Sequence, residues 1–199
     1  HALALRHYDD ALAVGQVAGD NPTTLPIMIN IVHAYLGQRR FAAARAAHAK
    51  ALAIALQAAP TTYTADRLIA LGHLAQRLAD LQPDEQAALI EPAFRAFSRA
   101  LAIAEAQSDV IGKSYASGHL GQLYADQQRF AEAQRLLRRA IFFAEEADAS
   151  DLLARWWLKL GRTHKVQQQV GEALSAYQRA VATLRPIQPM LVAGERGYP

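Results

Sequence analysis

The sequence predicts an all-α chain built as an array of antiparallel helix pairs. Two observations carry that expectation. About a fifth of the 199 residues are alanine, the strongest helix former. Small and bulky apolar residues also return at a fixed interval of about 40 residues, within the range of helical repeat arrays. The remaining composition narrows the function classes. Lys and Arg number 21 against 18 Asp and Glu, for a formal charge of +3, too balanced to argue for a nucleic-acid partner. The absence of cysteine excludes a disulfide frame, a thiolate metal site and a cysteine nucleophile within this chain, and leans toward a cytoplasmic setting. No apolar run approaches the roughly 18–20 residues of a membrane span, so no membrane partner is expected. The opening His-Ala-Leu-Ala-Leu-Arg has neither a starting Met nor a signal-peptide layout, and reads as the middle of a longer protein.

Subtraction exposes the repeat. Ala11, Ala51, Ala100, Ala140 and Ala180 recur at one constant spacing, widened once, between Ala51 and Ala100. The same gaps separate Ala4, Ala44, Ala93, Ala133 and Ala173, and a bulkier series of Tyr8, His48, Phe97, Leu137 and Tyr177. Upstream, Leu71-Gly72, Leu120-Gly121 and Leu160-Gly161 stand in register, with Ile31-Val32 at the same places in the first full unit. Tyr35, Ala75, Tyr124 and His164 follow. Each unit therefore reads as two helices. In the first, a small residue beside leucine admits a close neighbour. In the second, small, bulky and small residues at i, i+4 and i+7 share one face.

The elements then follow in order. A half repeat is expected over 1–19, and full units over about 24–59, 62–107, 110–148 and 151–186. Gln38-Arg39-Arg40, Asp126-Gln127-Gln128-Arg129 and Gln167-Gln168-Gln169 are the polar turns inside pairs. Gly19 to Thr24 and Ala59-Pro60-Thr61-Thr62 join units, with Thr as N-cap. The extra residues of the widened gap fall between Ala75 and Ala93, near 80–91. Pro83 with Asp84 and Glu85 has the character of a helix start, and Pro92 suits a first turn, so the pattern predicts a short extra helix. A longer helix or a surface insertion is the competing reading.

These residues carry a resemblance. Leu120-Gly121-x-x-Tyr124 with Ala133, Leu137 and Ala140, and Leu160-Gly161-x-x-His164 with Ala173, Tyr177 and Ala180, resemble tetratricopeptide repeats, in a variant longer than the family's roughly 34 residues. Trp157 falls at the family's tryptophan position, and Pro186 lies one residue past its proline. The resemblance implies a right-handed superhelical solenoid whose first helices line a concave groove that binds peptides or partner proteins, without chemistry of its own. Ile69 and His73 stand where the family's carboxylate clamp places a basic residue and an asparagine, so a chaperone-tail clamp is not expected.

The groove candidates come from aligning first helices across units. His33, His73, Gln122 and Arg162 form one row; Asn30, Ala70, His119 and Lys159 a second; Pro26, Asp66, Tyr115 and Arg155 a third. Arg155, Lys159, Arg162 and Lys165 share one helix and make that end basic, which suits an acidic peptide held by charge-assisted hydrogen bonds. The expected partner-binding residues are thus His33, His73, Tyr115, His119, Gln122, Arg155, Lys159 and Arg162. The histidines lack the i, i+4 spacing of metal ligands, so no metal or cofactor is expected. His48 and His164 occupy core positions. No phosphate loop, nucleophile elbow or HExxH is present, and no enzyme is expected.

The tail, from Ala176 through Pro186-Ile187 to Leu191-Val192-Ala193-Gly194-Glu195-Arg196-Gly197, resembles the segment leaving the repeats in bacterial proteins with a caspase-like CHAT domain. That resemblance implies that 187–199 links the array to an effector which the repeats regulate. The alternative is a ligand- or peptide-sensing domain of a bacterial transcription or signalling regulator.

Overall fold

The computed structural model describes residues 21–184, so the half repeat expected over 1–19 and the tail from 185 onward lie outside it. Among the described residues there are eight α-helices, one short 3-10 turn and no strand. The described residues up to Gln107 and those from Ser108 onward form two compact units.

In the first unit α1 (Asn21–Gly37) pairs with α2 (Phe41–Gln57), and α3 (Thr62–Leu81) with α4 (Gln86–Ala106). Helix α2 also packs on α3 and on α4. Pro60 separates the pairs, because it disfavours helix at the residue before it. The expected threonine cap is present: the Thr61 hydroxyl accepts the Thr64 backbone N–H at 3.2 Å. The core gathers Val32, Leu52, Leu68, Leu71, Leu78, Phe97 and Ile103. His48 is buried beside it, and its Nε2 donates to the Leu71 carbonyl at 2.9 Å.

The insertion departs from the expected short extra helix. Pro83–Glu85 form only a single 3-10 turn, and α4 runs unbroken through Pro92. The extra residues lengthen the pair, to 20 residues in α3 and 21 in α4. Proline is tolerated there because the carbonyl it leaves without an N–H belongs to Ala88, on the exposed side of the helix.

In the second unit α5 (Val110–Asp126) pairs with α6 (Phe130–Glu146), and α7 (Ser150–Val166) with α8 (Val170–Leu184); α6 and α5 both reach α7. Asp109 caps α5 by accepting the Gly112 N–H at 2.9 Å. The core is Leu137, Ala140, Ile141, Ala144, Leu152, Trp156 and Leu160.

One contact recurs in both units and explains the Leu-Gly signature. A Cβ added at Gly72 would overlap the Phe97 ring, at Gly121 the Leu137 side chain, and at Gly161 the Tyr177 ring. In these three pairs the bulky residue of the second helix therefore rests on the glycine of the first. The turns recur as well. Arg39, Ser108, Gln128, Asp148 and Gln168 all have φ between 50° and 60°. Around four of them a backbone bond spans the turn, as from Arg40 N–H to Tyr35 O at 2.9 Å and Arg129 N–H to Tyr124 O at 2.8 Å. Side chains close the same turns: Arg40 lies over Tyr35, Arg129 over Tyr124, and His164 Nδ1 meets Gln169 Oε1 at 2.6 Å.

A candidate binding face on the first helices

The second unit brings several of the sequence candidates together. Tyr115 and His119 sit one turn apart on α5 and stack with ring centroids 6.2 Å apart. Trp156 of α7 meets both rings edge-on, at 6.5 Å from Tyr115 and 5.1 Å from His119. The Arg155 guanidinium lies 5.8 Å from the Tyr115 ring centre and 5.9 Å from that of Trp156, within cation–π range. His119 is only 9% exposed, so it forms the floor of this cluster rather than a contact surface. Tyr115 is half-buried and Arg155 exposed, which leaves their outer faces available to a partner.

Lys159 and Arg162 continue the face along α7. Burial holds the Lys159 ammonium below its ordinary pKa, Arg162 and Arg155 push it the same way, and Asp126 opposes them. Both arginines thus disfavour the Lys159 charge, and a negatively charged partner would relieve that repulsion. Gln122 donates to Asp126 at 2.5 Å, which orients the carboxylate at the end of α5.

His33 and His73 belong to the first unit. His33 is exposed on α1; its pKa is lowered by partial burial and then by Arg77. His73 is exposed on α3 and meets Phe97 edge-on at 5.4 Å. Among the described residues, no group of three or more His, Cys, Asp or Glu is gathered as metal ligands would be.

The two adjacent tryptophans differ in burial. Trp157, at the family's tryptophan position, is half-buried, carries Arg179 at 4.7 Å over its ring, and lines an open depression of about 410 Å³ with Arg138, Glu172 and Ser175. Trp156 is the fully buried indole. Its Nε1 donates to Ser114 Oγ at 3.0 Å, and that hydroxyl donates to the Ala140 carbonyl at 2.9 Å, so one network joins α7, α5 and α6. Helix α5 admits the indole at Gly118, where any Cβ would overlap the ring. A glycine inside a helical run was the one sequence signal for this contact. Asp126 and Arg77 also went unrecognised, since each acts through a neighbour.

The fold is a tetratricopeptide-like solenoid of antiparallel helix pairs. Residues 24–59 and 116–147 match the tetratricopeptide repeat family model. No curated protein sequence matches the chain. Among solved structures, the apo form of RapI superposes with a TM-score of 0.62 at 14% identity over 91% of this chain and 50% of RapI, so the chain spans about half of that protein's length. A Podosopora anserina protein of kinesin light chain type, with nearly identical TPR-like repeats, superposes with a TM-score of 0.64 at 16% identity over 95% of this chain and 94% of its own. Among the described residues no helix is long and apolar enough to cross a membrane.

Proposed function

We propose that this chain is a non-catalytic interaction module which binds an acidic peptide segment of a protein partner along its first helices. The observation that carries this reading is the α5–α7 face. Arg155, Lys159 and Arg162 share one helix, Arg155 lies beside Tyr115 and Trp156, and burial with the two arginines disfavours the Lys159 charge. A carboxylate there gains charge-assisted hydrogen bonds, while the Tyr115 ring supplies apolar contact. Gln122 and Arg162 are further polar contacts on this face. In the first unit His33 and His73 are the corresponding recognition residues. The partner is a protein rather than nucleic acid, given the near-balanced charge. The resemblance of the tail supports a further step, in which occupancy of the repeats controls an attached caspase-like domain.

The test is a fluorescent Asp/Glu-rich peptide titrated into the full chain and into the Arg155→Glu/Lys159→Glu double variant. Affinity should fall at least tenfold in the variant and decline as salt is raised. Equal binding by both proteins would remove the basic face from the mechanism.

A further inference from the structure

The insertion in the first unit builds a pocket that the first-helix face does not use. Leu89 and Pro92, both in the lengthened start of α4, form one wall. Leu52 and Leu56 of α2 and Leu78 of α3 form the others, around a volume of about 250 Å³. The His48 ring lies at the edge of this space, with its Nε2 already committed to the Leu71 carbonyl, so the ring presents no spare N–H through that atom. Arg45 and Arg95 also line the pocket. Arg45 is held by an ion pair with Glu85 from the 3-10 turn, and Arg95 has Glu91 one turn back at 3.6 Å. A guanidinium carries five N–H donors, so one carboxylate leaves donors to spare on each.

The pairs of the second unit lack this construction, because the insertion occurs once. Its apolar residues are not merely solvated surface. Leu89 is buried, although the turn leading to it is exposed. An apolar pocket lined partly by two guanidiniums fits a molecule with one acyl chain and one anionic head. We infer that this pocket binds a medium-chain monocarboxylate, its chain against Leu52, Leu56, Leu78 and Leu89 and its carboxylate held by Arg45 and Arg95. The cavity is too small for a drug-sized ligand, which limits the occupant to a single short chain. The polar demand is also small: the carboxylate replaces water on side chains already at the surface.

The experiment titrates octanoate, octanol and acetate into the full chain, followed by calorimetry and by the chemical shifts of the leucine methyl groups. Octanoate should bind in the millimolar range or tighter and shift leucine methyls of the pocket. Octanol should bind at least tenfold more weakly, and acetate should give no saturable signal. Arg95→Gln, a surface change, should weaken octanoate about tenfold while leaving octanol unchanged. Ala53→Trp, at an exposed position lining the pocket, should fill the space and abolish binding, with an unchanged far-UV spectrum and melting temperature reporting a retained fold. The proposal is overturned by absent octanoate binding, by octanol binding as tightly as octanoate, or by undiminished binding in the folded Ala53→Trp protein.

Discussion

The two units use one packing rule with different regularity. In the second unit the helices begin at Val110, Phe130, Ser150 and Val170, an even spacing, and the left-handed turn residues Ser108, Gln128, Asp148 and Gln168 keep the same interval. In the first unit only α1 and α2 follow that rhythm. Pro60 then replaces a left-handed turn, and the insertion replaces the next. Where the turns are alike, α5, α6 and α7 are each 17 residues long and the buried contacts repeat. Where they are not, longer helices meet at Leu89 and Pro92 and leave the lined pocket behind. Regular turns thus yield evenly repeated packing, and the irregular pair leaves a lined pocket beside its core.

The largest expected effect breaks the keyed core. Trp156→Ala should cost about 3–5 kcal/mol in urea unfolding, because it leaves a large cavity and removes the donor to Ser114. Trp157→Ala should cost less than half as much, since that ring is half-buried over the open depression. If the order were reversed, the packing register of α7 would be one residue off.

That pair of tryptophans also marks the limit of what the sequence discloses. Helix pairing and the knob-on-glycine contact were legible, because a buried position must be small where its partner is large and both recur with the repeat period. Which of two adjacent indoles turns toward the preceding helix was not legible, since neighbouring residues differ by about 100° around the axis and both lie near the apolar stripe. A similar limit applies to the insertion, which forms the longer helix, the competing reading, in place of the expected short extra helix. A proline inside a helix costs less where water can satisfy the carbonyl it leaves without an N–H, and exposure of Ala88 cannot be read from residue order. Among the candidate residues, the rows set Tyr115 beside Arg155, whose guanidinium lies over that ring, but carried no sign that His119 would lie beneath them.

A smaller effect separates the units by pH. His48 in the first unit has its pKa held below the ordinary 6.5, mainly by burial, while its bond to Leu71 works in the opposite direction. The unfolded chain then takes up a proton that the folded chain resists. Stability is full above about pH 6.5 and declines as pH falls from there toward the lower folded pKa. Hydrogen exchange at pH 7.5 and 5.5 should show α2 and α3 losing protection in acid. In His48→Gln that acid loss should shrink even if overall stability is lower. Unchanged acid sensitivity would assign the effect to other groups.

The smallest effect tests whether the turns really are equivalent. Gln168 and Arg39 both hold a left-handed backbone that costs a side-chain-bearing residue about 1–2 kcal/mol. Glycine relieves that strain but returns about 0.4–1 kcal/mol of unfolded-chain freedom. The net gain should be about 0.5–1 kcal/mol, or roughly 1–4 °C in melting temperature for a chain of this size. Gln168→Gly tests a turn of the regular unit, and Arg39→Gly one of the irregular unit. Arg39 makes its turn bond to Leu36 O at 3.0 Å, as Gln168 does to Lys165 O at 3.0 Å, so the two gains should match. A gain confined to Gln168→Gly would mean that the first unit's surviving turn is held by more than its backbone. The neighbouring Arg40–Tyr35 contact at 4.8 Å is then the interaction to remove next.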